Sequence, residues 1–91
     1  MIMQPSHHTF GGLMVIVYDA FDIDDILPMH THDEASVHIT IIARGSFTVR
    51  GDGWEMIGKA GDVIDWKVGQ QHELVALEPD SRFVNIRKGG N

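Results

Sequence analysis

An all-β fold is what this sequence predicts, on three observations. Apolar and β-branched residues come in short runs closed by Gly, Asp or Pro, the punctuation of a sandwich or barrel. No window of useful length repeats apolar residues at the helical period; residues 21–27 come nearest and are too few. The 91 residues make one small domain, 1–91, with its core over about 13–87 and no room for a second.

The elements follow in order. Residues 13–18, LMVIVY, read as a buried strand, followed by a polar stretch over 19–25. Residues 37–43 and 46–50 flank Arg44-Gly45, a turn or bulge where glycine relieves the backbone. Asp52-Gly53 is a stronger hairpin signal, because a tight primed turn needs the positive φ angles this pair tolerates, and 54–57 is the returning strand. Lys59-Ala60-Gly61-Asp62 turns the chain into a strand over 63–66. Strands over 72–77 and 82–87, parted by Glu78-Pro79-Asp80, complete the set, and the last three residues fray. The expected total is about seven or eight strands and no long helix.

Composition narrows the function. Seven Lys and Arg against 13 Asp and Glu give a formal charge of −6, which disfavours a nucleic-acid partner, since such affinity is built from basic residues. The absence of cysteine removes disulfides, thiolate zinc sites and cysteine nucleophiles together. The longest apolar run is too short to span a bilayer, and the opening MIMQP lacks the cationic start of a signal peptide. A cytoplasmic protein without membrane contact is the expectation. The glycines precede strands rather than a helix, so no phosphate-binding loop is legible.

The chemistry-bearing feature is a set of histidines: His30-Thr31-His32, then His38, then His72. Alternation puts His30 and His32 on one face of a strand. Six residues let the chain turn and bring His38 back antiparallel beside them, and folding brings in the remote His72. Together they supply four neutral nitrogen ligands for one divalent transition metal, Mn, Fe, Co, Ni, Cu or Zn. His30, His32 and Glu34 form a rival set if that strand runs straight. His7 and His8 lie in a polar amino-terminal segment and are read as uninvolved. Beyond Asp62, Ile64 and Trp66 share one face and Val63, Asp65 and Lys67 the other. Ile64 and Trp66 are expected to face inward, with Phe47 and Val49 filling the interior. Ile64, Trp66 and Phe47 are thus the candidate pocket-lining residues. No catalytic dyad beyond the metal is legible.

The glycine frame around these histidines resembles the cupin family. Its first motif, His-x-His, a short gap, Glu, six residues, Gly, is matched by His30-Thr31-His32, five residues, His38 in the glutamate position, and Gly45. Its second, Gly, five residues, Pro, any residue, Gly, two residues, His, is matched by Gly61, Lys67 in the proline position, Gly69 and His72. Asp24 stands where a glycine often precedes the first motif, and Ala76 where asparagine is usual. The resemblance implies a jelly-roll barrel (double-stranded β-helix) with a metal in its mouth, and commonly a homodimer.

Four imidazoles leave the metal's double charge uncompensated, which favours Lewis acidity and anionic co-ligands. An octahedral ion keeps two adjacent positions open for a small chelating anion or an activated water. The expected function is a metal-dependent enzyme of oxygenase or isomerase/lyase type, acting on a small oxygen-rich or enolisable molecule. The alternatives are a small-molecule-binding module and a closed structural site, such as a tetrahedral zinc held by four imidazoles.

Overall fold

The alternation of apolar and polar positions is realised as two facing antiparallel sheets in the computed structural model, which describes residues 1–30, 35–67 and 69–89. Nine strands form among the described residues: β1 (Pro5–Phe10), β2 (Leu13–Ala20), β3 (Ile26–His30), β4 (Ala35–Arg44), β5 (Ser46–Gly51), β6 (Trp54–Lys59), β7 (Val63–Asp65), β8 (His72–Ala76) and β9 (Ser81–Gly89). They build a five-stranded sheet in the order β1-β2-β9-β4-β7 and a four-stranded sheet in the order β3-β8-β5-β6. No helix occurs among the described residues.

The seven strands bounded in the sequence are present; β1 was not read, and β3 was read only as the strand that carries His30. All six positions of β1 are exposed, so it carries no apolar alternation and is held by its backbone ladder to β2. His7 and His8 lie on this strand. In β3, Pro28 interrupts the pattern, yet β3 is the edge of its sheet, where a missing amide is tolerated. The expected jelly roll is present as two facing sheets that do not close into a continuous barrel: among the described residues no ladder joins them. The three residues of β7 pair with β4, which leaves β6 as an edge of the other sheet.

Register stacks the interior in layers. At the base Phe83 lies opposite both Tyr18 and Ile42, while Phe47 lies opposite Ala76. Phe83 stacks on Tyr18 at 4.8 Å and meets Phe47 edge-on at 5.1 Å. Truncating either buried phenylalanine to alanine would cost about 3–5 kcal/mol. Above this come Ile16, Thr40, Val49, Leu74 and Asn85, all buried. The topmost layer carries the histidines.

Turns fix the ends of the strands. Gly45, between β4 and β5, has φ +75°, and a Cβ there would lie 2.7 Å from Ser81 Cβ; only glycine allows both the left-handed backbone and the close approach. Before β3, the Asp25 carboxylate accepts the amides of Phe21 and Asp22 at 3.0 and 3.1 Å. Asp24 beside it has φ 72°.

Candidate metal centre

Three of the four histidines meet at one end of the space between the sheets. His30 closes β3 and His72 opens β8, directly opposite in register, with ring centroids 4.2 Å apart. His38 projects from β4 in the other sheet and lies 4.9 Å from His72, ring to ring. The route differs from the one expected. His38 does not return on a strand beside His30; that place belongs to β8, and His38 approaches across the gap between sheets. His32 and the rival ligand Glu34 lie outside the described residues.

The local hydrogen bonds orient two of these rings. His30 Nδ1 donates to the Pro28 carbonyl at 2.7 Å and His72 Nδ1 to the Gln70 carbonyl at 3.1 Å. A carbonyl oxygen only accepts, so each neutral imidazole carries its proton on Nδ1 and its lone pair on Nε2. Metal-binding histidines are oriented by the same device. His38 and His72 are buried, and so are their Nε2 atoms. The set stops short of complete: among the described residues no group of three or more His, Cys, Asp or Glu side chains is arranged to hold a metal ion.

Trp66 forms the wall beside them. Its indole stacks on His72 at 4.5 Å and lies 6.4 Å from His38, and its amide donates to the His38 carbonyl at 2.9 Å. Its Nε1 donates to Thr40 Oγ1 at 2.7 Å, and that hydroxyl donates to Asn85 Oδ1 at 2.6 Å. A buried chain of three side chains thus sets the angle of the indole. Ile64 sits opposite Thr40 and packs half-buried against the core. Phe47 lies in the aromatic base, opposite Ala76 and so four residues along β8 from His72.

Sequence reasoning passed over Trp54. Its ring stacks on Trp66 at 5.7 Å and occupies the space a Cβ of Gly51 would need. The signal was there, since β6 begins directly after the Asp52-Gly53 turn and Trp54 shares parity with the buried Gly58.

The departures from the family motifs have local explanations. Asp24, in a glycine position, adopts the left-handed conformation that Asp tolerates better than most side chains. Lys67, in a proline position, uses the amide a proline lacks: it donates to Gln70 Oε1 at 3.0 Å while the Gln70 amide donates back to the Lys67 carbonyl at 3.0 Å.

No protein-family model matches the chain, and no curated protein matches it. Solved structures do. KdgF from Halomonas sp. superposes with a TM-score of 0.84 at 25% identity, over 96% of this chain and 80% of that one. A conserved protein with a double-stranded β-helix domain from Klebsiella pneumoniae gives 0.85 at 24% identity, over 99% and 79%. A cupin-2 domain protein from Shewanella frigidimarina gives 0.77 at 13% identity, over 97% and 82%. No helix among the described residues is long and apolar enough to cross a membrane. Two antiparallel sheets in this order, superposing over nearly the whole of this chain and about four fifths of each of those proteins, give the chain the fold of a small cupin.

Proposed function

We propose that this chain is a metal-binding cupin that acts as a metal-dependent enzyme on a small oxygen-rich or enolisable molecule. The reaction is of oxygenase or isomerase/lyase type. The observation that carries the reading is the pair of Nδ1 hydrogen bonds to the Pro28 and Gln70 carbonyls. They leave the lone pair of both rings on Nε2, and the two rings lie beside each other with His38 next to His72. His30, His38 and His72 would hold the ion, with His32 as the fourth ligand. When bound, a divalent transition ion supplies Lewis acidity toward a carbonyl or enolate oxygen.

The chain's own residues supply the rest. Trp66 and Trp54 give a flat apolar wall against which a compact planar molecule can lie. The burial of His38 and His72 keeps the inner side of the site dry, where electrostatic interactions weigh more than in water.

Elemental analysis of protein purified without added metal tests this reading. The expected result is about one transition-metal ion per chain. It is retained until a strong chelator is added and is lost in His72→Gln. A His38→Gln variant that kept full stoichiometry would favour Glu34 as ligand in place of His38. A protein free of metal, whose melting neither chelator nor added Mn, Fe, Co, Ni, Cu or Zn alters, refutes metal binding. Turnover of a panel of diketones, hydroxy acids and sugar acids then tests catalysis; a loaded protein that turns over none of them is a binding or structural module.

A further inference from the structure

We propose that two copies of this chain associate back to back through the outer face of the five-stranded sheet, the face turned away from the histidines. Residues 13–18, LMVIVY, form a continuous apolar run, and such runs are the mark of strands covered on both faces. The fold buries only one. Ile16, Tyr18 and Ala20 are buried, while Val15 and Val17 between them stay partly exposed. The strands β9 and β4 alternate in the same way, with Phe83, Asn85, Thr40 and Ile42 inside. Their other side is apolar too. Register lays Val15, Ile86 and Ile39 in one row across the sheet and Val17, Val84 and Ile41 in the next. Val63 ends the second row on β7. The outer face of the four-stranded sheet shows the contrast: there Arg50 pairs with Glu55 and Glu73 across neighbouring strands, as suits a face left to water.

Area and charge together select a second copy as the cover. The strands β2, β9, β4 and β7 lie side by side, and at about 4.8 Å between strands and 3.4 Å per residue they present a face of roughly 20 by 20 Å. Phe10 and Leu13, paired on β1 and β2 and both exposed, extend it. The flat area is roughly 400–500 Å², and the relief of the side chains raises it toward the roughly 800 Å² that each partner gives to a standard interface. A chain of formal charge −6 repels its own copies unless they meet where that charge is absent. It is absent on this face. Among the described residues its charged side chains are Asp19, Asp65, Arg44, Arg82 and Lys88, three cations against two carboxylates, all at its margins. Asp19 pairs with both arginines. A partner selected by opposite charge would sit on the acidic remainder of the surface instead. Sheets stack face to face about 10 Å apart with their side chains interdigitated, and a two-fold axis lets the same patch serve both copies.

Sedimentation velocity at micromolar concentration, with and without chelator, and flotation with phosphatidylcholine vesicles test this in wild type, Ile86→Lys, Val63→Lys and Ile57→Lys. Wild type is expected at about 20 kDa, twice the 10.1 kDa of one chain, in both conditions, because the contact is apolar and needs no metal. Ile86→Lys sets a charge at the centre of each copy's patch and is expected to be monomeric with the circular dichroism of wild type. Val63 is 62% exposed in the single chain, so the fold tolerates a lysine there; Val63→Lys is expected to raise the dissociation constant at least about tenfold and carries the test if Ile86→Lys does not fold. Ile57→Lys, on the outer face of the other sheet, is expected to remain a dimer. A monomeric wild type, including one that floats with the vesicles instead, overturns the assignment. So does an association that chelator abolishes without changing the circular dichroism, an Ile86→Lys or Val63→Lys protein that dimerises as wild type does, or dissociation caused by Ile57→Lys alone.

Discussion

Thr40→Val is the substitution that tests the interior most sharply, because it changes hydrogen bonding at nearly constant shape. The Thr40 hydroxyl is fully buried, accepts from Trp66 Nε1 at 2.7 Å and donates to Asn85 Oδ1 at 2.6 Å. Valine fills the same space and leaves both partners stranded. At about 1–3 kcal/mol for each buried group deprived of its partner, the cost is about 2–6 kcal/mol. Thr40→Ser keeps both bonds and removes one methyl, for about 1 kcal/mol. Small domains hold only about 5–15 kcal/mol in all, so the valine variant loses a large share of the total. Its melting temperature should fall by about two to six times as much as that of the serine variant, for which roughly 4–8 °C is expected. Urea unfolding followed by tryptophan fluorescence and far-ultraviolet circular dichroism gives the comparison, with an unchanged denaturant slope showing that only stability moved. A valine variant no less stable than the serine one would show that the Trp66–Thr40–Asn85 chain contributes nothing.

Three further outcomes are expected. Gly45→Ala combines a strained φ of +75° with a collision against Ser81, whereas Gly53→Ala meets only the strain of φ +81° in open space; strain alone costs about 1–2 kcal/mol, so urea unfolding should show Gly45→Ala clearly the worse, and equal costs would refute the collision. Asp24→Gly should be neutral or stabilising by up to about 1 kcal/mol, and Asp24→Ala destabilising, because the residue sits at φ 72° where only glycine is free of strain. Hydrogen bonds from Arg82 hold the Asp19 carboxyl below its ordinary value, with burial opposing and the charges of Arg82 and Arg44 adding. That stabilisation is complete above the unfolded value of about 3.9 and is lost as pH falls through the lower folded value. Asp19→Asn should therefore cost about 1 kcal/mol or less at neutral pH, with the gap to wild type closing in acid; a gap that persisted there would refute the linkage.

What the sequence made legible follows from which forces leave a local trace. Strands with one buried face write that face into every second residue, which is why β2, β5, β8 and β9 were readable. Position β1 owes its existence to hydrogen bonding along the edge of β2, and backbone pairing leaves no mark on side-chain type. The glycine spacing foretold where the chain must bend, and Gly45, Gly61 and Gly69 all have positive φ. The histidines were legible as a set, but not their pairing. Which strand lies beside which is decided by long-range register, so His72 rather than His38 stands opposite His30.

The candidate site is divided between two sheets that no ladder joins among the described residues. His30 and His72 come from one and His38 from the other, so their spacing depends on side chains that span the gap. Trp66 is the residue placed to do this. It follows β7, stacks on His72 and on Trp54 of the four-stranded sheet, and is bonded through its ring to Thr40 and through its backbone to His38 of the five-stranded sheet. A hydrogen bond to a buried hydroxyl fixes the rotation of an indole in a way that apolar packing alone does not. The polar chain from Trp66 to Asn85 therefore serves the mouth as much as the core, because the angle it sets is the angle at which His72 is held.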